Sequence, residues 1–197
     1  MPMYKTYRVM DFIQMVGEEA VNDLFSDFSC EYKTGIHNDE VENFLKRNAV
    51  EFTKKKMLIT YLVMDDQDQL AGYFTLTHKP IIVQDKDLSK TSRKRLLRHA
   101  KYDPVIDAYS VSAFLIAQIS KNYNLPSNER INGIKLMDIS LSVIDDIQQQ
   151  IGGGIIFLEA EEHQELLDFY RKQLFSPFGV RYSDDENTKY IQMIRFL

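Results

Sequence analysis

The sequence predicts an α/β protein, a mixed β-sheet packed by helices, in a chain of 197 residues. Three observations point there. An apolar strand, VSAFLIAQIS from Val111, runs through a polar loop, KNYNLPSNERING, into an amphipathic helix that opens IKLMDIS and includes Met137. A second strand, GGIIFLEA, and a second helix, EEHQELLDFYRKQLF, follow in the same order. Two pairs of short runs around polar turns, LITYLVMD with LAGYFTLTHKPI and FGVRYS with KYIQMIRFL, read as hairpins. The 12 Phe and 11 Tyr suit such a sheet.

From the N-terminus, YKTYRV alternates and reads as a short first strand, Tyr4 to Arg8. Phe12, Met15, Val16, Ala20, Leu24 and Phe28 then recur at helical spacing, giving one or two helices between Asp11 and Phe28. The stretch SCEYKTGIHND breaks that period. Asn38 is placed to cap the next helix, and Val41, Phe44, Leu45, Ala49 and Phe52 line one face behind it. This helix ends at Lys54 to Lys56, where positive charge complements the carbonyl end of the dipole. The hairpin around DQDQ supplies the next two strands. A further strand covers Ala108 to Ile119, and its near-continuous apolar run implies burial on both faces at the centre of the sheet. Ile134, Met137, Leu141, Ile144 and Ile151 set one face of a long helix against that sheet. Gly152, Gly153 and Gly154 end the helix. At a helix C-terminus they present the wrong dipole end to a phosphate, so the triplet reads as a turn. The last hairpin turns at DDENT.

Length and composition bound the function classes. The chain is long enough for one domain with a proper core and short for two. No apolar window approaches the length needed to cross a bilayer, and MPMYKTYRVMDF lacks a basic head followed by an apolar core, so a cytoplasmic protein with no membrane partner is expected. Cys30 is the single cysteine, and a buried structural thiol is the reading for it. His37, His78, His99 and His163 stand far apart, with no H-E-x-x-H or C-x-x-C spacing, so no metal is expected; nor is there a G-x-S-x-G element of a serine hydrolase. The net charge of -5 argues against a surface built throughout to grip nucleic acid. The segment KDLSKTSRKRLLRHAK, Lys86 to Lys101, nevertheless concentrates positive charge: it reads as a solvated helix with Leu88, Leu96 and Leu97 packed down, or as a surface that steers an anionic partner.

The loop that leads onto the N-terminus of the helix beginning IKLMDIS forms an anion site, because the first helical N–H groups lack intrahelical partners. The order of strand, polar loop, helix, strand and helix resembles the GNAT superfamily of acyl-CoA-dependent N-acetyltransferases, over nearly the whole chain. In that family the loop reads Q/R-x-x-G-x-G/A and the helix after it opens with two apolar residues. Here Asn128, Ile131 and Gly133 fall at those places, followed by Leu136 and Met137; the second glycine alone matches. The family's F-Y-x-K pattern corresponds to Phe169, Tyr170 and Lys172, while Leu174 stands where a glycine before Phe175 is commoner.

The resemblance implies a GNAT-like α/β fold: a mixed, largely antiparallel central sheet with helices on both faces and splayed fourth and fifth strands. It implies a single domain over residues 1–197, with a basic helical insertion at about 85–101. Backbone groups near Ile119, Ser120 and Lys121 would pair with the pantetheine arm of acetyl-CoA. The pyrophosphate would lie on the N–H groups of Arg130, Ile131, Asn132, Gly133, Ile134 and Lys135, next to Asn128. His163 would touch the cofactor or merely pack. Tyr170 would protonate the departing thiolate from the inner face of its helix, shared with His163, Leu166, Leu167 and Leu174. Glu159 is the candidate general base, or else an acidic strand end.

The function expected on this resemblance is transfer of an acetyl group from acetyl-CoA to a primary amine by direct attack, in a protein that is a monomer or a homodimer. Two alternatives stand beside it. One is a toxin-like acetyltransferase acting on aminoacyl-tRNA, suggested by the basic insertion; the other is a non-catalytic acyl-CoA-binding interaction module, suggested by the departures at Asn128 and Ile131.

Overall fold

The structure, a computed structural model, describes residues 3–33, 36–84, 86, 88–184 and 187–197. Asp85 and Asp87 at the start of the basic segment, Thr34 and Gly35, and Asp185 and Glu186 in the DDENT turn lie outside the described residues. The elements run β1 (Lys5–Arg8), α1 (Val9–Val16), α2 (Glu18–Ser26), β2 (Glu31–Lys33), β3 (Ile36–His37), α3 (Asp39–Asn43), a π-helical turn (Phe44–Asn48), α4 (Ala49–Lys54), β4 (Ile59–Met64) and β5 (Leu70–Gln84). After these come α5 (Lys90–Leu96), β6 (Lys101–Asp103), β7 (Ala108–Lys121), α6 (Gly133–Ile151), β8 (Ile155–Glu161), α7 (Gln164–Lys172), β9 (Ser176–Tyr182) and β10 (Lys189–Phe196).

The hydrogen-bonded strand order is β1-β4-β5-β7-β8-β10-β9, with β6 on β7. Pairing is antiparallel between β1 and β4, β4 and β5, β6 and β7, β8 and β10, and β9 and β10. The expected fourth and fifth strands are β7 and β8. They run parallel, with Phe114 opposite Ile156 and Leu115 opposite Phe157. The mixed, largely antiparallel sheet is as the resemblance implies. No helix among the described residues is long and apolar enough to cross a membrane.

The chain packs as two compact units, Met1–Thr77 with Ala117–Val143, and His78–Ile116 with Ile144–Leu197. In the first, Val9, Val21, Phe25, Phe28, Leu45, Leu62 and Tyr73 form the core. Phe28 meets Tyr73 edge-on at 5.4 Å, and the Tyr73 hydroxyl donates to the Val41 carbonyl at 2.5 Å, which satisfies the phenol oxygen that this core takes in. Asn38 caps α3 as the sequence suggests, accepting from the Val41 N–H at 3.0 Å. Within the stretch SCEYKTGIHND, where the helical period breaks, β2 and β3 pair as a small antiparallel ribbon. Cys30 is buried, its thiol pushed up to about 11 by burial, as a structural residue.

In the second unit the core joins Val83, Leu96, Tyr109, Val111, Ile155, Phe157, Phe178 and Ile194. The basic helix α5 is therefore anchored by Leu96, with Leu88 packed against the same core. Leu97 departs from expectation and is exposed, since α5 ends at Leu96 and the chain leaves the helical period there. Arg95 lies over the Phe196 ring at 4.7 Å, so it packs as well as carries charge.

Two helix faces also differ from the sequence reading. In α6 the buried residues are Leu136, Met137, Ser140 and Ile144, whereas Ile134 and Ile151 at its ends are exposed. A 3.6-residue period places i, i+1, i+4 and i+8 on one stripe, and Ser140 belongs to it because its hydroxyl is satisfied by the Met137 carbonyl at 2.8 Å. The triplet after α6 is a turn: Gly152 and Gly153 have φ of 76° and 106°, conformations that side chains resist.

Candidate functional site

In the first unit Ile119, Ser120 and Lys121 form the half-buried end of β7. Gly72 of β5 makes room for this end. A Cβ at Gly72 would stand 2.9 Å from the Ser120 carbonyl oxygen and 3.2 Å from Leu136 Cδ2, so a glycine interior to a strand here marks close backbone approach. One residue pair upstream, the Gln118 N–H donates to Oγ1 of buried Thr75 at 2.9 Å, a side-chain acceptor within a strand ladder. Asn122 then ties the end down. Its N–H donates to the Ala71 carbonyl at 2.8 Å and its Nδ2 to the Leu70 carbonyl at 3.0 Å, while its Oδ1 accepts from the N–H groups of Ser29 at 3.1 Å and Asn124 at 3.0 Å. Cys30 Sγ donates to Ser120 Oγ at 3.3 Å, and Ser120 Oγ donates to the Lys121 carbonyl at 3.0 Å. Burial, and then the charge of Arg130, hold the Lys121 ammonium below its ordinary pKa.

The loop from β7 to α6 is fixed by Arg130. Its Nε donates to the Leu125 carbonyl and its Nη2 to the Tyr123 carbonyl, both at 2.6 Å, and its guanidinium lies over the Tyr123 ring at 5.3 Å. Arg130 thus braces the loop from inside. Asn128 is exposed. Ile131 is fully buried and does not have positive φ, so the β-branched residue at the family's glycine place sits without backbone strain. Asn132 caps α6: its Oδ1 accepts from the Ile134 N–H at 2.9 Å, and the Leu136 N–H donates to the Asn132 carbonyl at 3.0 Å. An anion arriving at this helix end meets the N–H groups of Gly133 and Lys135, and displaces the Asn132 side chain to reach that of Ile134. Ile134 and Lys135 are exposed beside it.

In the second unit Tyr170 is buried on α7 with Leu167, its ring 5.3 Å from Phe169 and 5.9 Å from Phe175, both edge-on. Burial pushes its phenol up to about 12, so it is a protonated donor at neutral pH. The expected common face is narrower than five residues. His163 precedes α7 as its N-cap, 71% exposed and 3.2 Å from Glu161, and Leu174 is 73% exposed with a φ of 66°. That left-handed conformation is the physical reason a glycine is commoner before Phe175. Glu159 of β8 is 23% exposed, and both its oxygens are engaged: Oε2 accepts from Arg181 Nε at 2.7 Å and Oε1 from Gln192 Nε2 at 2.8 Å.

Sequence reading did not single out Gly72, Thr75, Asn122, Arg181 or Gln192. Of these Gly72 carried a signal, a glycine inside an apolar strand. The other four matter through partners remote in sequence, which no local pattern reports.

No protein-family model and no curated protein matches the sequence. Solved structures do match the fold. AtaT complexed with acetyl-methionyl-tRNAfMet superposes with a TM-score of 0.62 at 18% identity, over 95% of this chain and 94% of that one. A tyrosine-to-phenylalanine mutant of the AtaT toxin, bound to the C-terminus of the antitoxin AtaR and acetyl-CoA, gives 0.58 at 14% identity, over 98% and 93%. A tyrosine-to-phenylalanine mutant of KacT gives 0.62 at 17% identity, over 95% and 93%. At these identities the likeness is one of fold, and the fold is that of the GNAT acetyltransferases.

Proposed function

We propose that this GNAT-fold chain is an N-acetyltransferase that moves an acetyl group from acetyl-CoA to a primary amine, with all 197 residues forming one catalytic domain. The observation that carries the reading is the end of β7, held by Gly72 and Asn122, followed by a braced loop onto the capped N-terminus of α6. Ile119, Ser120 and Lys121 offer backbone to the pantetheine arm. Gly133 and Lys135 offer N–H groups to the pyrophosphate, with Asn132 and Ile134 exchanging their mutual bond for it and the Lys135 ammonium adding charge. Asn128 and His163 lie exposed and take the outer parts of the cofactor. Arg130 and Ile131 shape the loop rather than touch the ligand.

In the reaction the amine nitrogen bonds to the acetyl carbon, the carbon–sulfur bond breaks, and the electron pair leaves on sulfur. The acceptor docks as an ammonium and gives one proton to Glu159 to become the neutral nucleophile; after attack the nitrogen loses its second proton to solvent as the amide forms, Tyr170 gives its proton to the departing sulfur, and solvent then reprotonates Tyr170 and deprotonates Glu159. Glu159 accepts a proton once the incoming ammonium, itself a donor, has replaced Arg181 or Gln192 on its oxygens. Acetyl-CoA in a complex of a neighbour of the same fold supports the donor, and tyrosine mutants among the neighbours support a tyrosine of functional interest.

The test is calorimetric titration with CoA of the wild type and of Gly133→Val. The substitution keeps negative φ available and blocks close backbone approach, so affinity should fall about tenfold or more while the melting temperature holds, since a well-ordered bond or two to phosphate is lost. Unchanged affinity would remove the α6 N-terminus from the site.

A competing reading, acetylation of an aminoacyl-tRNA, whose amine has no anion close to it, rests on one separate observation. Lys90, Lys94, Arg98 and Lys101 are exposed on and after α5, while Arg95 packs on Phe196, and AtaT was solved with an acetylated aminoacyl-tRNA.

A further inference from the structure

The face of β8, β10 and β9 around Glu159 carries an array that the acetyltransferase reading leaves unexplained. Gly179, Gln192 and Glu159 stand directly opposite one another across β9, β10 and β8, and Arg181 faces Tyr190 in the neighbouring row. A Cβ at Gly179 would lie 2.6 Å from Gln192 Oε1, so glycine at 179 is what lets the Gln192 amide lie across β9 while its Nε2 reaches Glu159. Arg181 closes the array from the diagonal. Besides its bond to Glu159, its Nη1 donates to the Tyr182 carbonyl at 3.2 Å and its guanidinium lies over the Tyr190 ring at 4.6 Å.

A carboxylate with one arginine and one amide on it is the internal copy of a carboxylate with an ammonium on it. Glu159 and Arg181 are 23% and 43% exposed, so a ligand reaches both. An ammonium that docks on Glu159 displaces the Arg181 Nε–H. The guanidinium does not leave with it, because the Tyr190 ring and the Tyr182 carbonyl hold it independently of Glu159. Two cations then stand side by side, which costs energy unless the ligand brings an anion to the second one. The nearest other lysine on these strands, Lys189, is already paired with Glu162 at 2.7 Å.

We infer that Glu159, Arg181 and Gln192 read the acceptor, and that the acceptor is a primary amine bearing an anionic group, carboxylate or phosphate, within a few bonds of the nitrogen. The inference rests on the acetyltransferase reading for its chemistry but not for its binding test. Glu159 takes the ammonium, the freed Arg181 takes the anion, and Gln192 keeps the carboxylate of Glu159 in register.

Four acceptors separate the sources: glycine for a carboxylate, O-phosphoethanolamine for a phosphate, and glycinamide and ethanolamine as neutral counterparts. In acetylation assays the wild type should favour the anionic member of at least one pair by about tenfold in kcat/KM, equivalent to about 1.4 kcal/mol. The pair with the larger ratio identifies the anion. Arg181→Gln should erase the preference, and Arg181→Lys, which keeps charge but not the planar fork, should retain part of it. Binding is read separately, without acetyl-CoA, from the NMR signal of the Arg181 Nε–H: the anionic amine should shift it, and the neutral one should shift it far less. Equal kcat/KM within both pairs, a preference that survives Arg181→Gln, or an Arg181 signal indifferent to the anion would overturn the inference. A responsive Arg181 signal in a protein that takes up no acetyl-CoA would instead overturn the acetyltransferase reading and leave the amine and anion site standing.

Discussion

Replacing Tyr170 by phenylalanine removes one oxygen from a buried face and leaves the ring in place. Its magnitude follows from the environment. Burial pushes the Tyr170 phenol up to about 12, which taken alone makes it a poor acid for a thiolate of ordinary basicity. A thiolate that leaves into a site shielded from water is more basic than one in bulk solvent, because desolvation penalises its charge. General acid help is worth about 100-fold to 10,000-fold, and a thiolate needs little of it, so Tyr170→Phe should lower kcat by about 100-fold. Affinity for acetyl-CoA should stay within about twofold, because no group that binds the cofactor is removed. The hydroxyl makes no hydrogen bond among the described residues, so its removal leaves no partner unsatisfied and the melting temperature should barely move. Stopped-time measurement of thiol release, calorimetry and thermal melting on one preparation distinguish the readings. Turnover within about twofold of wild type would make Tyr170 a core aromatic only. With its phenol near 12, Tyr170 also produces no loss of rate up to pH 10; a downturn below that pH that disappears in the phenylalanine variant would contradict its burial.

Leu174→Gly should stabilise the protein by about 0.5–1 kcal/mol and raise the melting temperature by roughly 1–4 °C, because it relieves a left-handed conformation at an exposed side chain and gives back part of that in chain entropy; thermal denaturation checks it. Glu42 is subject to burial, which opposes its charge, yet Lys46, the Cys30 N–H and His37 together hold its carboxyl down to about 2. Its folded pKa lies below the unfolded one, so its stabilisation is present above about pH 4.5 and fades as pH falls towards 2; it is worth at most about 3 kcal/mol before solvent screening, and Glu42→Gln should flatten acid unfolding over that window. His37 has the opposite sign: hydrogen bonds to Glu42 and then Asp39 raise its pKa, so its contribution is complete below pH 6.5 and is lost as pH rises through the raised value, which His37→Gln should abolish in chemical denaturation at pH 6 and 9. Neutralising Lys90, Lys94, Arg98 and Lys101 together should weaken RNA binding and flatten its salt dependence by about one unit of slope for each phosphate left without its cation; filter binding of tRNA at several salt concentrations measures it, and a wild type that ignores RNA at low salt would dismiss the tRNA acceptor.

The fold was legible where the chemistry is local. Alternation, turn residues and the capping position of Asn38 each act within a few residues, so both major hairpins, the helix after Asn38 and the order of elements could be read directly. The glycine triplet and Cys30 were legible for the same reason. Helix faces were less so, since the Ser140 hydroxyl is satisfied by the Met137 carbonyl and can be buried, while a hydrophobicity pattern counts it as polar. The ends of α7 escaped because capping at His163 and positive φ at Leu174 carry those residues off the helical stripe. Strand β9 begins at Ser176 and takes in Pro177, which the edge position allows and a propensity argument forbids. The site was half legible. The N-terminus of α6 and Tyr170 came from motif order, but the partners of Glu159 lie 22 and 33 residues away in sequence, and only the register of three strands brings them to it.

Acetyl transfer by this chain is measured by incubating the 197-residue protein with acetyl-CoA and an amine panel that includes aminoacyl-tRNA. Thiol release and acetylated product are quantified together by colorimetry and mass spectrometry. Thiol release should depend on the amine, with one acetylated amine formed for each thiol released. Acetyl-CoA that stays intact with every amine, in a protein whose calorimetric titration shows no heat of acetyl-CoA binding, would contradict the acetyltransferase reading.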